Sequence, residues 1–375
     1  MNRPDLLIIG GGVIGCSIAW QAARRGLRVQ LIERGEIGRE AVYAAGGMLA
    51  PLAEADRDDP FLRLCRQSRS LYPGFASDLC AATGIDVEYR TEGTLYLSLQ
   101  KDDDEELESR YHWQSAAGLK IERLTAAQVL AAEPALNSAV RWALRFPDDH
   151  QVNNRRLIRA LHAAALAAGV EIVTQTAVLN LVCADSATGS TVTGVLTDRG
   201  LFEAPQVVLA AGCWSGQIHA SSPVLPVRGQ MIAVEMAAPL LRHVIYSCRG
   251  YLVPRLDGRV IAGSTTELVG YDRRTTAGGM ATIINNGTEM MPSFATRPII
   301  ETWAGLRPRV ADQLPSIGPD PLVDGLYHAT GHYRNGILLA PLTGQLIADL
   351  VTGSKPSFDL GPFSPGRPVN STVAA

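Results

Sequence analysis

The glycine run Gly10-Gly11-Gly12-Val13-Ile14-Gly15 stands directly after the apolar tetrad Leu6-Leu7-Ile8-Ile9. It stands directly before small and apolar residues at helical spacing, Ile18, Ala19, Ala22 and Ala23. A strand buried on both faces, then glycines, then a helix, leaves few folds open. Gly26 follows as a helix stop behind Arg24 and Arg25. Residues 27–32 read as a second buried strand, with Glu33 at its end. This is the Gly-x-Gly-x-x-Gly fingerprint in its required strand–turn–helix context. Gly10 serves the tight turn, Gly12 the close approach of backbone to a pyrophosphate, and Gly15 the packing of helix on strand. Free amides and the dipole at the helix start favour phosphate there. Glu33 is placed to accept hydrogen bonds from a ribose diol. The pattern predicts a dinucleotide site without separating FAD from NAD.

Three later segments favour FAD. Ala44-Ala45-Gly46-Gly47-Met48-Leu49-Ala50-Pro51 reads as a loop of small residues that lets backbone pass close to a flat ring. Residues 171–173 read as a strand. Residues 178–183 and 192–197 read as a hairpin or meander closing near Gly200, followed by the buried strand Val207-Val208-Leu209-Ala210-Ala211-Gly212 and then Trp214-Ser215. A simple NAD dehydrogenase would instead continue in βαβ repeats. Near the C-terminus, a strand at 326–330, the polar turn Gly331-His332-Tyr333-Arg334-Asn335-Gly336 and an amphipathic helix at 337–351 with Pro341 in its first turns place a second helix start at the cofactor. Its positive end suits negative charge at the N1/C2=O edge of a reduced flavin.

Together with Trp303-Ala304-Gly305-Leu306-Arg307-Pro308, these segments resemble the D-amino acid oxidase-type FAD-dependent oxidoreductase family, and within it the glycine oxidase group of thiamine biosynthesis. The similarity runs from Leu6 to about Gly353. It implies non-covalent FAD, because relatives that attach flavin covalently use a cysteine near Trp303 and this chain has none there. Cofactor contacts are expected at Gly10, Gly12, Val13, Ile14, Gly15, Glu33 and Arg34, at Ala41, Val42, Gly46, Gly47 and Met48, and at Val178 and Gly212. Further contacts are expected at His332, Tyr333, Arg334, Asn335, Gly336, Ile337 and Leu338. At Val42 such relatives commonly carry a small hydroxylated residue, so one phosphate contact worth about 1 kcal/mol is lost here.

The resemblance also implies a substrate carboxylate held by Arg307 and Arg334 with Tyr251 nearby. Guanidinium groups suit that anion, since they pair with carboxylate bidentately and stay charged. Met48 and Tyr246 are the further pocket candidates. The implied reaction is FAD-dependent oxidative deamination of glycine and small amines or D-amino acids, sarcosine and D-alanine among them. Hydride leaves Cα of the neutral amine, dioxygen is reduced to hydrogen peroxide, and the imino acid hydrolyses to an oxo acid and ammonia. No side-chain base is required; orientation and electrostatics are the protein's share. The alternatives are an FAD-dependent amino acid dehydrogenase with another acceptor and a non-catalytic flavin-binding subunit.

The expected fold is α/β: a Rossmann-like FAD-binding domain (1–83, 150–223 and 297–353) interleaved with an α+β substrate domain (84–149 and 224–296) built on an antiparallel sheet. Residues 354–375 read as a loose tail, 154–168 as an amphipathic helix, and 102–106 as a solvated acidic helix start. With 34 Lys and Arg against 37 Asp and Glu there is no basic excess for nucleic acid. The six cysteines are too dilute for a disulfide framework and lack metal-ligand spacing, so no metal is expected. Residues 6–20 imitate a short signal peptide, but glycines interrupt them and they run on into a helix. No run reaches the roughly 18 apolar residues of a membrane span. The expectation is a cytoplasmic homo-oligomer, dimer or tetramer, acting on a small amino acid.

Overall fold

The computed structural model describes residues 3–186, 189–236 and 241–369. Two sheets organise the chain. The first has six strands in the order Ser316–Pro319, Leu326–Thr330, Val207–Leu209, Leu6–Ile9, Val29–Ile32, Glu171–Val173. All neighbours run parallel except Ser316–Pro319. The pleat of Leu6–Ile9 explains its uninterrupted apolar sequence. Leu6 and Ile8 pack under the helices Val13–Ala23, Pro60–Thr83, Asn154–Ala167 and Gly336–Val351. Leu7 and Ile9 pack under the three-stranded meander Val178–Ser186, Gly189–Thr197 and Gly200–Glu203.

The second sheet has eight strands in the order Ile299–Arg309, Leu225–Glu235, Arg259–Gly263, Gly250–Pro254, Val244–Ser247, Thr94–Ser98, Trp142–Phe146, Glu122–Thr125. It is antiparallel except where Val244–Ser247 meets Thr94–Ser98. One face, carrying Tyr96, Tyr246 and Tyr251, packs with Leu107 of the helix Asp103–Ala116. The other, carrying Ile245 and Leu252, packs against Ile283 and Met290 of the helix Ala277–Met290.

Several expectations are corrected. Ile299–Arg309, assigned to the cofactor part, pairs along its length with Leu225–Glu235 and is a strand of the larger sheet. The second strand begins at Val29, where pairing to Leu6 starts. The 44–51 loop is largely ordered: Met48–Leu49 pairs with His150–Gln151, and Pro51–Glu54 forms a short helix. The acidic helix start is not simply solvated, because Asp103 is buried and accepts from the amides of Leu99 and Gln100 and from Arg249. The tail is anchored over its described part: Phe363 is fully buried and Arg367 pairs with Asp312, while 370–375 lie outside the described residues. Among the described residues no helix is long and apolar enough to cross a membrane.

Candidate active site

A cavity of about 500 Å³ runs from the Val13–Ala23 helix start to the inner face of the larger sheet. Its dinucleotide end is shaped by glycine. Gly10 holds φ +109°, and a Cβ there would meet the Ala210 carbonyl oxygen at 2.5 Å. A Cβ at Gly15 would collide with the Gly10 carbonyl, so the helix sits on the strand as closely as a glycine permits. Gly12 faces open space, with nothing within 4 Å of its would-be Cβ. The free amides of the helix start border that space, an arrangement suited to a phosphate. Glu33 already accepts from the amides of Gly11 at 2.7 Å and Gly35 at 2.8 Å, which fix its carboxylate on the wall and leave acceptor capacity for a hydroxyl. Arg34 stacks 3.5 Å above the Trp214 ring and pairs with Glu40.

Val13, Ile14, Ala41, Val42, Gly46, Met48, Val178, Gly212, His332, Tyr333, Gly336 and Ile337 also face this cavity. Val42 is buried, and its carbonyl accepts from Asn154 Nδ2 at 2.7 Å, so its side chain fills the wall by packing alone. Gly47 (φ +75°) is turned beneath the Val152 carbonyl and Asn335 lines a neighbouring cavity. Leu338 is not on the wall at all; it is packed in the helical core, and its carbonyl accepts from Ser68.

The other end carries the cations. Arg307 projects from the Ile299–Arg309 strand into space that a side chain on Gly229 would fill. Its guanidinium donates to Ser264 Oγ at 2.6 Å and to the Thr265 carbonyl at 3.2 Å. Among the described residues no carboxylate lies within 4.0 Å of it, so the charge is oriented but not neutralised. Arg334, by contrast, donates to Tyr246 Oη at 2.8 Å and pairs with Glu54 at 3.4 Å. The Glu54 carboxylate raises its already high pKa further. Tyr251 lies beside Gly46 and stacks on Tyr246 at 5.9 Å. Tyr246 is on the wall of the second cavity, about 560 Å³, which shares Glu54, Tyr251, Tyr333 and Arg334 with the first. Burial pushes the Tyr246 hydroxyl well above the usual range, so it acts as a neutral hydrogen-bonding group.

Sequence reasoning missed Glu54, Trp214 and Cys213 as wall residues. Glu54 is carried by the short Pro51–Glu54 helix, whose first amides are capped from afar by the buried Asp149 (2.7 Å to the Ala53 amide), and no local pattern announces that. Burial pushes the Cys213 thiol up to about 12, and it donates to the Leu306 carbonyl at 3.3 Å. His332 is buried against Thr343 at 3.1 Å, and desolvation lowers its pKa to about 3, so it is a neutral structural group.

A parallel sheet with a glycine-opened helix start, joined to an antiparallel sheet bearing an unneutralised guanidinium, defines a dinucleotide-dependent enzyme with an anion-binding annex. The family profile described as FAD dependent oxidoreductase (DAO) matches residues 5–350. The chain is 36% identical over 369 residues to a glycine oxidase of Geobacillus kaustophilus, covering 97% of each chain. It is 37% identical over 366 residues to a glycine oxidase of Pseudomonas aeruginosa, covering 96% of this chain and 98% of the relative. The crystal structure of glycine oxidase from Geobacillus kaustophilus superposes with a TM-score of 0.93 at 35% identity, covering 99% of this chain and 100% of the other. The chain belongs to the DAO family of FAD-dependent oxidoreductases. FAD fits what is present: the open side of Gly12, the fixed Glu33 and a small-residue wall at Gly46.

Proposed function

We propose that this enzyme oxidatively deaminates glycine and comparably small amines, sarcosine and D-alanine included, consuming dioxygen and water and releasing oxo acid, hydrogen peroxide and the amine, which is ammonia from glycine and D-alanine and methylamine from sarcosine. The observation that carries this reading is Arg307: an oriented guanidinium on the cavity wall with no carboxylate within 4.0 Å among the described residues. Such a group is a ready partner for a substrate carboxylate. The names of the relatives, glycine oxidases over nearly the full length, support the same chemistry.

FAD held by these residues would supply the redox chemistry, hydride acceptance from the substrate Cα and electron transfer to dioxygen. The chain supplies position. Gly10, Gly12, Val13, Ile14 and Gly15 seat the pyrophosphate, and Glu33 takes the ribose, with Arg34 and Trp214 beside it. Ala41, Val42, Gly46, Met48, Val178, Gly212, His332, Tyr333, Gly336 and Ile337 would border the ring system. Arg307 holds the carboxylate from one side and Arg334 from the other, with Tyr251 between them and Met48 limiting size. Ser264 and Thr265 keep Arg307 from swinging. The neutral amine reacts, and no protein base is needed to remove a proton from Cα. The helix start at Gly336 and the two arginines make the site favourable to negative charge.

The reading extends to a domain division at 1–83, 150–223 and part of 297–353 against 84–149 and 224–296, to a role in thiamine thiazole biosynthesis, and to a cytoplasmic homo-oligomer. A peroxide-coupled screen of glycine, sarcosine, D-alanine, D-proline and L-amino acids tests the activity. Peroxide is expected from the first three. Turnover confined to L-amino acids, or none, overturns the assignment.

A further inference from the structure

We propose that His219, Asp320 and His328 form a second site, outside the cofactor cavity, that binds a divalent transition-metal ion with Zn(II) as the best fit. His219 directly follows the short helix Ser215–Ile218, Asp320 directly follows the strand Ser316–Pro319, and His328 lies on the adjacent strand Leu326–Thr330. Their ligand atoms all lie within 4.8 Å of one another. Asp320 Oδ2 is 2.7 Å from His328 Nε2 and 3.2 Å from His219 Nε2.

The surroundings are those of a built site. Asp320 Oδ1 is fixed by the amides of Leu322 at 2.9 Å and Val323 at 3.0 Å, which turns Oδ2 toward the two imidazoles. His328 Nδ1 is 2.7 Å from Ser222 Oγ, the outer hydrogen bond that a histidine ligating through Nε2 needs to fix its ring and tautomer. His328 is fully buried, whereas the His219 side chain keeps 24% exposure, which leaves one side for a water ligand and for the ion's approach.

Two imidazoles, one carboxylate and one open position match the ligand count of a tetrahedral zinc site. With metal–ligand bonds of about 2.0–2.1 Å, ligand atoms sit about 3.3 Å apart. The His219–Asp320 spacing of 3.2 Å is close to that, and the His328–Asp320 spacing of 2.7 Å has to open for the ion to enter. Two nitrogens disfavour Ca(II) and Mg(II), and the ligand order favours Zn(II) over Mn(II). Ser221 Oγ, 3.3 Å from Oδ2, is a further polar neighbour. Without metal the same carboxylate is hydrogen-bonded to both imidazoles; ligation through Nε2 uses the neutral tautomer that carries its proton on Nδ1. Ile218 and Thr330, neighbours of the ligands in the chain, line the cofactor cavity, so the ion clamps the helix Ser215–Ile218 to the sheet beneath the dinucleotide end. Local pattern cannot reveal this cluster, since His219 lies far from the other two in sequence.

The test uses the FAD-loaded enzyme, dialysed first against chelator and then against Zn(II), with zinc and protein quantified after gel filtration and the thermal midpoint followed. His219→Ala and His219→Gln are the variants, the second keeping volume should the first fold poorly. His112→Ala, at a strongly exposed histidine, is the control for adventitious binding. The expected result is one retained zinc per parent and control chain with a raised midpoint, and at least tenfold weaker retention in both His219 variants. No retained zinc in the parent, or equal retention in the His219 variants, overturns the proposal.

Discussion

A side chain on Gly229 would occupy the space filled by the Arg307 guanidinium, so the glycine on one strand is the seat of the cation on its neighbour. Gly229→Ala should therefore displace Arg307 without touching the cofactor. KM for glycine is expected to rise at least tenfold with full FAD content. Arg307→Ala, which removes the partner of a desolvated carboxylate, should raise KM by the equivalent of about 2–5 kcal/mol. Steady-state kinetics with flavin quantified per chain check both; unchanged constants remove Arg307 from the site.

Gly12 and Gly15 are both fingerprint glycines but should fail differently. A side chain at Gly12 enters open cavity, so Gly12→Val should fold normally and lose FAD. A side chain at Gly15 meets the Gly10 carbonyl, so Gly15→Val should lose thermal stability even without cofactor. Melting curves of the flavin-free proteins, paired with FAD titrations, separate the two. A yellow Gly12→Val protein would count against the phosphate seat.

Glu54 faces the cavity and pairs with Arg334, whose side chain keeps 40% exposure. Its charge opposes a substrate carboxylate and competes for the arginine. Glu54→Gln keeps a hydrogen-bond acceptor for Tyr246 and removes the charge, so KM for glycine should fall by a small factor, within the ~1 kcal/mol of an exposed pair. A raised KM would instead make Glu54 a positive contributor to substrate binding.

How much of this was legible beforehand differs by scale. The Leu6–Ile9 strand, the fingerprint glycines and Glu33 are local in sequence, and each sits as its residue type dictates. Pro341 lies inside the Gly336–Val351 helix, not in its first turn, and the Ile337 carbonyl that its missing amide leaves free accepts from the Tyr72 hydroxyl, a partner set by tertiary contact. Ile299–Arg309 was misplaced because a strand carries no mark of which sheet it joins; Leu225–Glu235 decides that by pairing. Glu54 and the Asp149 cap beneath it were illegible for the same reason, since their partners are set by tertiary contact. The Leu338 side chain packs in the core because a helix start shows only some of its side chains to the cavity, and the periodic apolar residues around it turn inward.

His332 gives a pH prediction. Burial holds its folded pKa near 3 against the usual 6.5. Between those values the unfolded chain takes up a proton that the folded chain refuses, so this residue makes stability fall as pH drops below 6.5. From there to pH 5 the loss is about 2 kcal/mol. Denaturant unfolding of the parent and His332→Gln across that range should show the shallower pH slope in the variant. Parallel slopes would place a charged histidine in the fold.

The most direct test of the central claim is to mix the purified enzyme with glycine in the absence of oxygen and follow the visible flavin absorbance, then admit air and assay peroxide and ammonia. The account predicts bleaching under anaerobic conditions, return of the colour in air, and peroxide and ammonia in equal amounts. A protein without flavin, or one whose colour survives excess glycine, sarcosine and D-alanine, contradicts it.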